Sequence, residues 1–120
     1  MDIDVEVEEK LSQAFHLMYD NFPEGVQLTH KSRRIVALNK ALVDSGRHVG
    51  MICSSAGDPA AHRGCLANKA LARNEATWTQ GRKAGQEGRA GIIFWLPVDG
   101  YPDYYVHFSV GYSKDYGQAS

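Results

Sequence analysis

The sequence predicts an α+β domain built on a five-stranded antiparallel sheet, and three observations point to it. Two strand-like stretches come early, Val26-Gln27-Leu28-Thr29 and Ile35-Val36-Ala37-Leu38, separated by the polar turn Lys31-Ser32-Arg33. Three more come late, around Trp78, over residues 91–96 and over residues 104–112. Only short helix-forming stretches and glycine-rich loops lie between the two groups.

The length of 120 residues suits one domain with one core, and a hydrophobic content of 43% is ordinary for a globular chain. A net charge of −1 gives no broad attraction for nucleic acid or for an anionic membrane, so neither is expected as a partner. No stretch is long and apolar enough to span a bilayer. Residues 1–10 are acidic and lack the basic-then-apolar order of a signal peptide, so a cytoplasmic location is the expectation. Two cysteines, Cys53 and Cys65, are too few for a disulfide scaffold of this size.

Residues 1–21 contain no Gly or Pro, and Val7, Leu11, Ala14, Phe15 and Met18 fall at helical spacing. Asp2 or Asp4 suits the helix start, and the early Glu residues suit its dipole. This stripe either covers the chain's own sheet or pairs with a second copy. Pro23 and Gly25 end the helix. Val26 and Leu28 alternate with Gln27 and Thr29, the period of a half-buried strand, whereas residues 35–38 are apolar throughout, as in a strand covered on both sides. Asn39 fits a helix cap, and Gly46 closes the short helical turn after it.

The order Phe22-Pro23-Glu24-Gly25-Val26, strand, turn, strand, Asn39-Lys40-Ala41 resembles the opening of a PAS domain. There the pattern reads roughly Leu-Pro-Glu-Gly-Val and then Asn-x-Ala. The turn departs from it, since Asp-Gly or Asn-Gly is usual where Lys31-Ser32-Arg33 stands. Gly50 and Cys53 are similar to a Gly-x-x-Cys variant of bacterial sensor PAS domains, with Cys65 in the place of that variant's second Cys and its further Cys missing. The resemblance covers roughly residues 15–116. It implies a PAS-like five-stranded antiparallel sheet with short helices on one face and an N-terminal capping helix. The organisation is then an amphipathic helix over residues 1–21 and a PAS-like domain over residues 22–120.

The remaining elements agree with that order. Residues 54–64 hold Gly57, Asp58-Pro59 and Gly64 and read as a loop. Residues 66–73 are good helix formers, with Leu66, Ala70 and Leu71 toward the core. Thr77, Trp78 and Thr79 favour a strand, and residues 81–89 form a polar, glycine-rich hairpin loop. Ile92 to Leu96 make a strand that Pro97 is expected to stop. After Asp99-Gly100, Tyr104, Val106 and Phe108 alternate with Tyr105, His107 and Ser109. Polarity favours the first set as the inward face.

No Walker A loop, nucleophile elbow, dinucleotide fingerprint or zinc-protease helix is present, so no enzyme is expected. Cys53, His62 and Cys65 have ligand-like spacing, eight residues and then two, with His48 or Asp58 as a fourth zinc ligand. The plain alternative is a small apolar Cys pair and a surface His. The light-oxygen-voltage motif Asn-Cys-Arg-Phe-Leu is missing, so the resemblance does not imply a flavin. Haem-binding relatives use a helix His, for which His48 or His62 is the nearest match. A chain with no tightly bound cofactor is the expectation, with zinc and haem as alternatives.

The resemblance therefore implies a sensory signalling module holding a small ligand between sheet and helices. The pocket candidates are Val36, Leu38, Met51, Trp78, Phe94, Trp95 and Phe108. A homodimer is expected through Val7, Leu11, Phe15 and Met18. A ligand-free dimerisation scaffold and a Cys/His metal or redox sensor are the alternatives. No output domain is recognisable, so a signal would pass by contact to another chain or to more of a longer one.

Overall fold

The structure is a computed structural model and describes residues 4–52, 66–81 and 91–111. Its elements are α1 (Val5–Tyr19), β1 (Val26–His30), β2 (Ile35–Leu38), α2 (Lys40–Asp44), α3 (Ala67–Arg73), β3 (Thr77–Gly81), β4 (Gly91–Val98) and β5 (Tyr101–Val110). The strands form one antiparallel sheet in the order β2-β1-β5-β4-β3. This is the expected five-stranded α+β architecture. Residues 53–65, residues 82–90 and Tyr112 lie outside the described residues, and with them most of the expected 81–89 loop.

Local chemistry explains the boundaries. Asp4 caps α1 by accepting a 3.1 Å hydrogen bond from the Val7 amide. The β1–β2 turn places Arg33 at φ +76°, the left-handed region that Gly or Asn fills most easily. Asp99 and Gly100 close the β4–β5 hairpin, with Gly100 at φ +81°. Contrary to expectation, Pro97 does not stop β4, which runs on to Val98. Strand β3 reaches only to the pair Thr77–Trp95, so Pro97 has a neighbour strand on one side, where a missing amide is tolerated. The pairing slips just beyond it, between Pro97 and Val98.

Helices lie on both faces of the sheet. Helix α1 lies on the outer face, where Leu11 and Phe15 pack on Val26, Leu28, Val36, Tyr104 and Val106. An ion pair pins it there. Arg34 donates from Nη1 and Nη2 to the two Glu8 carboxylate oxygens at 2.9 and 2.6 Å. The Tyr104 hydroxyl donates to Glu8 Oε2 at 2.7 Å. The Glu8 and Arg34 side chains are only 12% and 19% exposed, so water screens the pair weakly. On the opposite face, α3 packs Ala67 and Ala70 on Trp95 and Tyr105. Leu42 of α2 and Met51 pack there on Ile35 and Leu38.

Two expectations about orientation change. Tyr104 and Val106 face α1, and Tyr105 is the residue that faces the short helices. Strand β1 is buried along its whole length, so Gln27 and Thr29 are at 0% exposure and not on a solvent face.

Acid should loosen α1. Arg34's hydrogen bonds hold the Glu8 carboxyl below its ordinary 4.5, burial opposes this, and the Tyr104 hydroxyl lowers it further. Burial, then Arg34, also keeps the His30 imidazole below its ordinary 6.5. Both groups bind protons more readily in the unfolded chain. His30's share of stability is thus lost as pH falls from 6.5 through its lowered value, and Glu8's as pH falls from 4.5 through its own. Glu8→Gln should lose about 1–3 kcal/mol at neutral pH in urea unfolding, the worth of a charged hydrogen bond. It should also flatten the limb below pH 4.5 and keep the one above it. A variant curve parallel to that of the unmodified protein down to pH 3 would exclude Glu8 as the group responsible.

Candidate functional site

The site is the sheet face under α2 and α3, called here the roofed face. Register places Gln27 and Thr29 of β1 and Tyr105 and His107 of β5 on it, with Trp95 of β4 and Thr77 of β3. Gln27, Thr29 and Tyr105 are 0, 0 and 1% exposed, and Trp95 is 4% exposed. Buried polar groups need partners, and these have them. Gln27 Nε2 donates to Thr29 Oγ1 at 3.1 Å, and Arg47 Nη1 donates to Gln27 Oε1 at 3.0 Å. Thr77 Oγ1 donates to the Leu66 carbonyl at 3.2 Å and ties the start of α3 to the sheet.

The aromatic part is equally ordered. The Trp95 and His107 rings stack at 5.0 Å with 18° between their planes. His107 Nδ1 sits 3.0 Å from the Phe94 carbonyl oxygen, and a carbonyl only accepts, so the proton belongs on Nδ1. Arg33 reaches over the edge of α3. Its guanidinium lies 5.7 Å from the Tyr105 ring centroid and donates from Nη2 to Asn68 Oδ1 at 2.8 Å. The contacts thus bring two cations, Arg33 and Arg47, against a face of hydroxyl, amide and aromatic groups. Such a face can hold a small ligand by hydrogen bonds and favours negative charge over positive.

The seven pocket candidates do not share one face. Leu38, Met51 and Trp95 lie on the roofed side. Val36 packs under α1, and Phe94 stacks on Phe108 at 5.1 Å on that same outer face. Trp78 pairs with Phe94 in register and is 62% exposed. Sequence reasoning missed Gln27, Thr29, Arg33 and Arg47 as residues of this face. Of the dimer candidates, Leu11 and Phe15 are buried in the chain's own core, Val7 packs against it, and Met18 is 67% exposed. Cys53, His62 and Cys65 lie outside the described residues. Among the described residues no three His, Cys, Asp or Glu side chains gather as a metal site. No described helix is long and apolar enough to cross a membrane. An open groove of about 410 Å³ also runs between α1 and β2, lined in part by Glu9, Ser12, His16 and Val36.

No family model and no curated protein match the chain. Solved structures do. The PAS domain of Bordetella pertussis BvgS superposes with a TM-score of 0.67 at 17% identity, over 88% of each chain. The fold is that of a PAS domain. A sensory box sensor histidine kinase from Vibrio cholerae gives 0.62 at 11% identity, over 94% of this chain and 98% of that one. A Rhodobacter sphaeroides LOV protein gives 0.58 at 18% identity, over 97% of this chain and 71% of that one. Within this PAS fold the roofed face is the one between sheet and short helices.

Tryptophan emission should distinguish the two faces. Trp78 is exposed and Trp95 is buried under α3. With Trp78→Phe, the remaining emission should shift to the blue and resist iodide, at roughly a tenth or less of the quenching of free indole for a ring excluded from solvent. Ready iodide quenching of Trp95 alone would show the roofed face to be open to solvent.

Proposed function

We propose that the chain is a non-enzymatic sensory module. A small ligand with hydrogen-bonding groups sits between the roofed face and the short helices, and the signal passes on by protein contact. The observation that carries this reading is the polar make-up of the buried part of the roofed face. Gln27, Thr29 and Tyr105 are buried where a scaffold would be filled by apolar side chains. The sensor histidine kinase and light-oxygen-voltage proteins among the structural neighbours support the sensory part. Arg47, through Gln27, favours an acid over a base as ligand.

Native mass spectrometry of freshly purified protein, with thermal shift across small acids, aromatics and haem, tests the reading. A ligand at a hundred times its Kd should add about 2.7 kcal/mol of stability. Gln27→Leu combined with Thr29→Val should abolish the shift while the protein stays folded. A bare chain mass together with no shift from any compound would favour the ligand-free scaffold.

The partner we propose is a second copy, docked on the part of the outer face that α1 leaves uncovered. Met18, Trp78 and Ile92 are 67, 62 and 42% exposed. Register puts Trp78 on one face with Phe94 and Phe108. Lys10 lies 5.9 Å over the Tyr101 ring, so that flank of α1 looks toward β5. None of Met18, Trp78, Ile92 and Phe94 is charged, so two copies meet without like-charge repulsion. Sedimentation should show a dimer for the unmodified protein and a folded monomer for Trp78→Glu. A monomer at high concentration of the unmodified protein would end the dimer reading.

A further inference from the structure

Glu24 has no part in the roofed face, yet it is fully buried at 0% exposure. Its Oε2 accepts a 2.6 Å hydrogen bond from the Gly111 amide, at the point where the chain leaves β5. Gly111 has φ +84°, so the backbone turns sharply there. The Glu24 carbonyl in turn accepts from Asn39 Nδ2 at 2.9 Å. Asn39 Oδ1 takes the Leu42 amide at 3.3 Å and so caps α2. Helix α2 makes a second connection to the same place. Leu42 lies so close over Gly25 that an added methyl there would be 2.5 Å from Leu42 Cδ2 and 2.6 Å from Cγ. No α2 residue is itself fully buried, so its cap and Leu42 are what fix it.

We propose that Asn39, Gly25 and Glu24 form a stiff link through which the position of α2 sets that of Gly111, where the chain leaves the sheet. Helix α2 roofs the polar face, and Gly111 leads into the last nine residues of the chain. The path is short and continuous: the α2 cap and Leu42, then the backbone of Glu24 and Gly25, then the Glu24 carboxylate, then the Gly111 amide. Helix α3 instead packs directly on β3, β4 and β5 through Trp95 and Tyr105. The link gives the fold a mechanical output at the end of β5. It holds whether or not a ligand binds, so it stands apart from the sensory reading.

Amide hydrogen exchange on the full chain tests it without any ligand. Gly111 is compared with Phe94, which lies between β3 and β5 and reports general loosening. Gly25→Ala should push α2 away and speed Gly111 exchange at least about tenfold relative to Phe94. Adding Leu42→Ala makes room for the new methyl and should return the ratio to within about threefold of the unmodified protein. Asn39→Ser keeps a helix-cap acceptor and removes the amide donors, and it should raise the same ratio. If Gly25→Ala does not fold, the Asn39→Ser ratio decides. Gly111 and Phe94 changing together in these variants, or a ratio that Leu42→Ala fails to restore, would overturn the link.

Discussion

One buried amide holds the parts of this fold in register. Asn39 is at 0% exposure, and its side chain lies within hydrogen-bond reach of five backbone groups. Its Oδ1 accepts from the amides of Val26 and Leu42, the first residue of β1 and the first turn of α2. Its Nδ2 donates its two N–H groups to the carbonyls of Tyr19 and Glu24, with the Phe22 carbonyl sharing one of them at 3.3 Å, along the stretch joining α1 to β1. Only a primary amide carries an acceptor and two donors on one planar group. Aspartate would offer the acceptors alone and bury a charge among carbonyl oxygens. The end of α1, the start of β1 and the start of α2 therefore depend on a single side chain.

That residue was legible in the sequence as a helix cap, because the cap signal is local. Asp4 was legible for the same reason, and so was the strand content. The faces were not. Alternation in β1 and β5 shows that the two sides differ, but it does not say which side a helix covers. Here helices lie on both. Gln27 and Thr29 look like solvent positions until α2 and Arg47 are placed over them. The register slip between Leu28 and Thr29 puts Val36 and Ala37 into one cluster under α1, which no strict alternation of β2 foresees. The stripe on α1 was equally silent about its partner, since a sheet of the same chain and a second copy bury Leu11 and Phe15 alike.

Charge supplies the second fastening. Glu8, Arg34 and Tyr104 come from a helix, the β1–β2 segment and the first half of β5, and none of these is near another in sequence. Arg34 also bridges to Ile52 through its backbone, so the residue that anchors α1 borders the segment beside β2. Arg33, next to it, accepts a left-handed backbone that costs a non-glycine residue of order 1 kcal/mol or more. What offsets that cost is a guanidinium reaching both Asn68 and the Tyr105 ring. The unusual turn residues thus point in opposite directions, Arg34 to the outer helix and Arg33 to α3.

The separation of an outer face packed under α1 from a polar roofed face bears on how such a chain can diverge. Stability concentrates where α1 meets the sheet and where Asn39 joins the connections. Replacements among Leu11, Phe15, Leu28 and Val106 would strike at folding itself. Gln27 and Thr29 bond to each other and Gln27 to Arg47, and a matched set of apolar residues can stand in for a matched set of polar ones at small cost. Descendants of this sequence can therefore change the polarity of the roofed face in a few substitutions while inheriting the scaffold unaltered.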